Sequence, residues 1–148
     1  MNLVDRARQL AIAAHHGDTN QHDGEPYLLH LDRVFCLIRD EGGSTVEQAI
    51  AWLHDSYEDG KISLQTIRVA LGDDIEADMV VAGVDAISKR KGETLEDYYH
   101  RCKANANARF VKLRGDMVDN FSRNHKITDE ATKLRMASKY SLGMSILK

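Results

Sequence analysis

The stretch AWLHDSYEDG, residues Ala51–Gly60, decides how the rest of the chain is read. Apolar residues at Val46, Ala49, Ile50, Leu53 and Tyr57 recur at helical spacing and predict a buried stripe. An adjacent histidine and aspartate, His54-Asp55, sit beside that stripe on a face that includes Ala51. Read as helix, Asp55 and Glu58 are i and i+3, and His54 and Glu58 are i and i+4, so their side chains can gather around one point. A nitrogen ligand and carboxylates converging in this way are what a divalent metal needs.

Outward from this stretch the pattern stays helical. Ser44 and Glu47 form a capping box that starts the central helix, and Gly60 ends it. Before it, Asn2–His16 and Tyr27–Glu41 read as amphipathic helices, separated by the polar loop Asp18–Pro26. After it, Ser63 caps Leu64–Leu71, and Asp73-Asp74 open Ile75–Ser88. Thr94 caps Leu95–Asn105, Ala106–Asn124 follows, and a last helix runs from Thr128 or Asp129 toward Leu147. No stretch alternates at period two over strand length. The expected fold is all-α, a single domain over residues 1–148 with seven or eight helices.

Composition agrees. At 148 residues the chain can bury a core without staples. Apolar residues at 43% and charged residues at 29% exclude a disordered chain, and a net charge of -3 gives no reason to expect a nucleic-acid partner. Cys36 and Cys102 read as free thiols, which fits a reducing cytoplasm. The N-terminus MNLVDRARQL reads as neither a signal peptide nor a membrane span.

Other candidates lie outside the central stretch. His15 ends the first helix before Gly17 and reads equally as a helix-ending histidine. On Ala106–Asn124, Phe110, Leu113, Met117 and Phe121 form an apolar stripe. Arg109, Lys112, Asp116, Asn120 and Arg123 form an adjoining polar seam. That seam is either a solvated face with pairs such as Lys112–Asp116, or a metal-ligating Asp116 with Asn120 and cations presented to an anionic substrate. Lys89-Arg90-Lys91 is either a solvated loop or a phosphate clamp. His30, within an amphipathic helix, reads as a hydrogen-bonded structural histidine. Phosphate loops, nucleotide-binding glycine motifs, nucleophile elbows and C-x-x-C pairs are absent.

The order His15, His54-Asp55, Asp116 resembles the HD superfamily of metal-dependent phosphohydrolases. More narrowly it is similar to stand-alone relatives of the guanosine-3′,5′-bis(diphosphate) 3′-pyrophosphohydrolase domain. The segments that carry the resemblance are AHHGD, GEPYLLH, WLHDSYEDG, GETLEDYYHR, DMVDN and KYSLGMSIL, in this order along nearly the whole chain. The resemblance implies an all-α HD bundle and His15, His54, Asp55 and Asp116 as ligands of a divalent metal, commonly Mn2+. It implies Glu58 and Asp59 as the pair that activates or positions the attacking water, and Asn120 as a substrate contact. Arg109, Lys112 and Lys89–Lys91 are then candidates for neutralising substrate phosphate. The implied activity is metal-dependent hydrolysis of a nucleotide substrate. The alternatives are a phosphomonoesterase on other nucleotides or a dinucleotide cofactor, and a non-catalytic nucleotide-binding sensor. Two departures stand out. The loop TNQHD lacks the Arg or Lys that relatives carry, and Lys112-Leu113-Arg114-Gly115-Asp116 stands where they read K-L-A-D, with the lysine one residue early.

Overall fold

A computed structural model describes all residues, 1–148, and is built of helices with no strand. The helices are α1 (Leu3–His15), α2 (Tyr27–Asp40), α3 (Thr45–Leu53), α4 (Leu64–Leu71), α5 (Ile75–Ile87) and α6 (Leu95–Lys103). Then come α7 (Ala106–Val111), a π-helical turn (Lys112–Asp116), α8 (Met117–Ser122), a 3-10 turn (Asn124–Lys126) and α9 (Glu130–Leu147). α7, the π-turn and α8 run on without leaving helical backbone angles, so the chain forms eight rods. The expected all-α class holds.

α3 is the axis of the bundle. Val46, Ala49, Ile50, Ala51, Trp52 and Leu53 are all buried, which exceeds one stripe. A helix apolar on nearly every side has to be surrounded, and α1, α2, α5 and α7 pack around it. Its start is the expected capping box: Ser44 Oγ accepts from Glu47 N at 3.1 Å and Glu47 Oε1 accepts from Ser44 N at 2.9 Å.

Its end differs from expectation. The helix stops at Leu53 rather than continuing to Gly60. Ser56 donates both its N–H (3.1 Å) and its hydroxyl (2.7 Å) to the Leu53 carbonyl, taking the acceptor that the next helical turn needs. The chain then turns, and Tyr57, expected on the buried stripe, is exposed.

The second difference lies in the α7–α8 rod. A π-turn holds one more residue than an α-turn, so everything after it is rotated by about 100° relative to a straight α-helix. The expected stripe therefore breaks: Met117 stays buried, but Phe121 is 65% exposed, while Asp116 and Asp119 are turned inward. Gly115 makes the close approach to α2 possible. A Cβ there would sit 2.8 Å from Val34 Cγ1 and 3.1 Å from both Ile38 Cδ1 and Cγ1. Cys36 is half-buried and Cys102 buried, both as free thiols. No helix is long and apolar enough to cross a membrane.

Candidate metal centre

Four side chains from three parts of the bundle meet at one point: His30 of α2, His54 and Asp55 at the end of α3, and Asp116 on the π-turn. One ligand-type atom from each lies within 4.8 Å of the others. His54 is the C-cap of α3, so the turn imposed by Ser56 swings Asp55 toward the same interior. His30 follows Tyr27 by three residues on the inward face of α2.

The hydrogen bonds fix which ring atoms face the centre. His54 Nδ1 is 2.7 Å from the Ala51 carbonyl, which can only accept, so Nδ1 donates and Nε2 is left free. His30 Nδ1 likewise donates to Asp119 Oδ2 at 2.7 Å. A carboxylate holding the far nitrogen of a histidine is the usual support for metal ligation. Asp119 is itself held by Arg33, whose Nε is 2.6 Å from Oδ1, and Arg33 also grips Glu25 at 2.8 and 3.0 Å.

The two Nε2 atoms then stand 3.3 Å apart. Asp116 Oδ1 is 3.1 Å from each, and Asp55 Oδ2 is 3.1 Å from His54 and 3.7 Å from His30. Lone pairs and anionic oxygens at such spacing repel unless a cation or protons lie among them. Two imidazole nitrogens and two carboxylate oxygens suit a borderline divalent ion such as manganese, iron or zinc. The residues present therefore fit a divalent metal.

The remaining contacts shape the carboxylates. Asp116 Oδ2, the oxygen turned away from the histidines, accepts from Lys112 Nζ at 2.8 Å, and Oδ1 also accepts from Asn120 at 3.1 Å. Burial opposes ionisation of Asp116, but the Lys112 ammonium and the histidine hydrogen bonds outweigh it and hold the carboxyl well below its ordinary range. Asp55 is held low in the same way by His54. Burial disfavours a charged His30, yet hydrogen bonds to Asp116 and Asp119 push it up to about 9. The Tyr27 hydroxyl donates to Asp55 Oδ2, and burial and that carboxylate raise its pKa further.

His30, Asp55 and Asp116 border a cavity of about 560 Å³. His54, Asp55 and Asp116 are brought together. His15, expected with them, is outside the group but borders the same cavity; it is buried against the Tyr27 ring (5.1 Å between centroids), with Nδ1 3.3 Å from Asp18 Oδ2 and no hydrogen bond to either ring nitrogen. His30, read from sequence as structural, is the fourth residue of the group. Glu58 and Asp59 line the cavity, although Glu58 also accepts the Lys89 N–H at 2.5 Å. Crowding by protein, together with Asp55 and Glu58, pushes the Asp59 carboxyl up to about 6. Asn120 and Lys112 line the cavity as well.

The other proposed cations lie elsewhere. Arg109 donates to the Leu147 carbonyl, closing the end of α9, and Arg90 pairs with Asp85 at 3.5 Å. Neither they nor Lys89 and Lys91 border the cavity. Asp119, Arg33 and Tyr27 carry parts of the site that the sequence reading did not assign. The available signal was His30 lying on the buried stripe with Leu31 and Val34, since a histidine on a core stripe needs a polar partner inside.

No model of a known protein family matches the chain. Among curated proteins, the chain is similar to a probable guanosine-3′,5′-bis(diphosphate) 3′-pyrophosphohydrolase from Synechocystis sp. (strain ATCC 27184 / PCC 6803 / Kazusa), at 38% identity over 74 residues. That stretch is 50% of this chain and 10% of the relative, so the likeness concerns a small part of a much longer protein.

Proposed function

We propose that the protein is a metal-dependent phosphohydrolase acting on a nucleotide, with His30, His54, Asp55 and Asp116 as the metal ligands. The observation that carries this is the pair of Nε2 atoms 3.3 Å apart, each fixed in tautomer from behind and each within 3.1 Å of Asp116 Oδ1. The similarity to a pyrophosphohydrolase supports the reaction class. A divalent ion bound there supplies Lewis acidity toward a phosphate oxygen and lowers the pKa of a bound water.

The protein's own groups do the rest. Asp59, solvent-exposed, borders the cavity with no hydrogen bond to its side chain, and a carboxyl pushed up to about 6 beside Asp55 and Glu58 is suited to taking a proton from water near neutral pH. Glu58, fastened to the Lys89 N–H, orients the water. Asn120, tied to Asp116, presents its remaining amide valences to the substrate. Lys112 faces Asp116 directly and acts on the ligand rather than on the phosphate.

One observation favours a nucleotide other than guanosine tetraphosphate. The loop between α1 and α2 offers acids to the protein instead of cations to a ligand: Asp23 and Glu25 bind Arg123, and Glu25 also binds Arg33. A phosphomonoesterase or a dinucleotide hydrolase is the second reading. The test is a nucleotide panel with added Mn2+, including guanosine tetraphosphate, run beside Asp55→Ala. Turnover of at least one member that the variant lacks supports the proposal. Metal bound with no turnover of any member makes the protein a sensor instead.

A further inference from the structure

The structure assigns Lys139 of α9 as the anchor for an anionic group of the substrate. This deepens the hydrolase reading and rests on it for the identity of the ligand. The cavity is bordered by Lys61, Lys112, Arg123, Lys126 and Lys139. Three of these are already committed. Lys61 pairs with Asp18 at 3.0 Å, Lys112 with Asp116 at 2.8 Å, and Arg123 with Asp23 and Glu25. Lys126 is unpaired but exposed, as expected of a solvated lysine. Lys139 is half-buried, borders the cavity and has no counter-ion.

An ammonium withdrawn from water without a partner is unfavourable unless something else supplies the charge. Burial and the nearby Lys112 lower the Lys139 pKa against the opposing pull of Asp116, Glu58 and Asp55, none of which forms an ion pair with it. The position is built rather than incidental. Tyr99 donates its hydroxyl to the Lys139 carbonyl at 3.2 Å, fixing that turn of α9 against α6. Gly143 lets the helices approach: a Cβ there would lie 2.8 Å from Tyr99 Cζ. Tyr99, Met136 and Tyr140 border the cavity beside Lys139, an apolar surface against which a nucleoside can lie while its charge reaches the ammonium. The facing loop at 18–26 contains no Lys or Arg, so an anion is attracted to the α9 wall. A substrate phosphate matches this layout.

The test separates binding from turnover. Inorganic pyrophosphate is titrated calorimetrically into the full chain without added metal, comparing wild type, Lys139→Met and Lys139→Arg. The expected result is about tenfold weaker binding for Lys139→Met, the scale of one charge-assisted hydrogen bond. Lys139→Arg retains affinity within about twofold, and the thermal midpoint of Lys139→Met stays equal to wild type or rises, because an unpaired charge has been removed. No pyrophosphate binding by wild type, unchanged affinity in Lys139→Met, or equal loss in Lys139→Arg overturns the assignment. Kinetics on the active nucleotide then show a raised KM with little change in kcat. If no nucleotide is hydrolysed by wild type, the hydrolase reading fails while the calorimetry still judges Lys139.

Discussion

Replacing Gly115 with alanine tests whether the metal centre depends on how closely the π-turn lies against α2. In an exposed helix this change is favourable by roughly 1 kcal/mol, because alanine loses less backbone entropy. Here the new methyl would meet Val34 Cγ1 at 2.8 Å and Ile38 Cδ1 and Cγ1 at 3.1 Å, and both partners are fully buried. Carbon contacts settle near 3.5–4.0 Å, so about 0.7 Å must be found, and overpacking of this kind costs about 1–3 kcal/mol. The cost exceeds the gain. A net loss of about 1 kcal/mol lowers Tm by roughly 3 °C in a domain of this size. The strain separates Asp116 from His30, which now lie 3.1 Å apart, and Mn2+ affinity falls about tenfold. Thermal denaturation without metal and calorimetric Mn2+ titration measure the two effects. A variant whose Tm rises while its metal affinity stays unchanged refutes the reasoning, since that is how a loosely packed glycine behaves.

Three further predictions follow from the same geometry. His30→Gln abolishes Mn2+ binding, whereas His15→Gln retains it within about threefold; the reverse order in a metal titration would restore His15 to the ligand set. Lys112→Met frees Asp116 Oδ2 and weakens Mn2+ binding by about 10–100-fold, with Lys112→Arg intermediate, and equal affinities across the three proteins would show that Lys112 does not position the carboxylate. Glu93 accepts Arg101 at 2.8 and 2.9 Å, and that pairing pulls its pKa down to about 2 from 4.5. Its folded pKa is depressed, so its stabilisation is complete above pH 4.5 and disappears as pH falls toward 2. Solvent screening reduces this to about 1 kcal/mol. Urea unfolding should then show a Glu93→Gln deficit at pH 7 that narrows toward pH 2, and a deficit independent of pH would exclude the linkage.

The sequence made most of the helices legible because their caps and stripes are local. Ser44 with Glu47, Ser63, Asp74 and Thr94 each cap the helix they were expected to cap. Two tertiary effects were not local. Ser56 competes with the helix for the Leu53 carbonyl, and nothing in the spacing of apolar residues reports that. The π-turn makes Phe121 an outward residue although it completes the i,i+4 stripe from Met117. At the site, the His54-Asp55 pair was legible as ligand-type residues, and Asp116 as one of two readings of a polar seam. His30 was not, because its qualification depends on Asp119, 89 residues away, holding its far nitrogen. Arg109 and Arg90 show a related effect: charge is visible in sequence, but the Leu147 carbonyl and the Asp85 carboxylate that each meets are not.

The π-turn also bears on how this chain is lined up with others. Alignment treats a helix as a ruler with uniform divisions, and an added residue inside one is normally charged as an error. Here the five residues Lys112–Asp116 stand where the related motif has four, and the wider turn takes up the difference without breaking the rod. Counting back from Asp116 by the motif's spacing lands on Leu113 instead of the lysine that touches the carboxylate. Correspondence across this segment has to be drawn by which side chains look into the cavity.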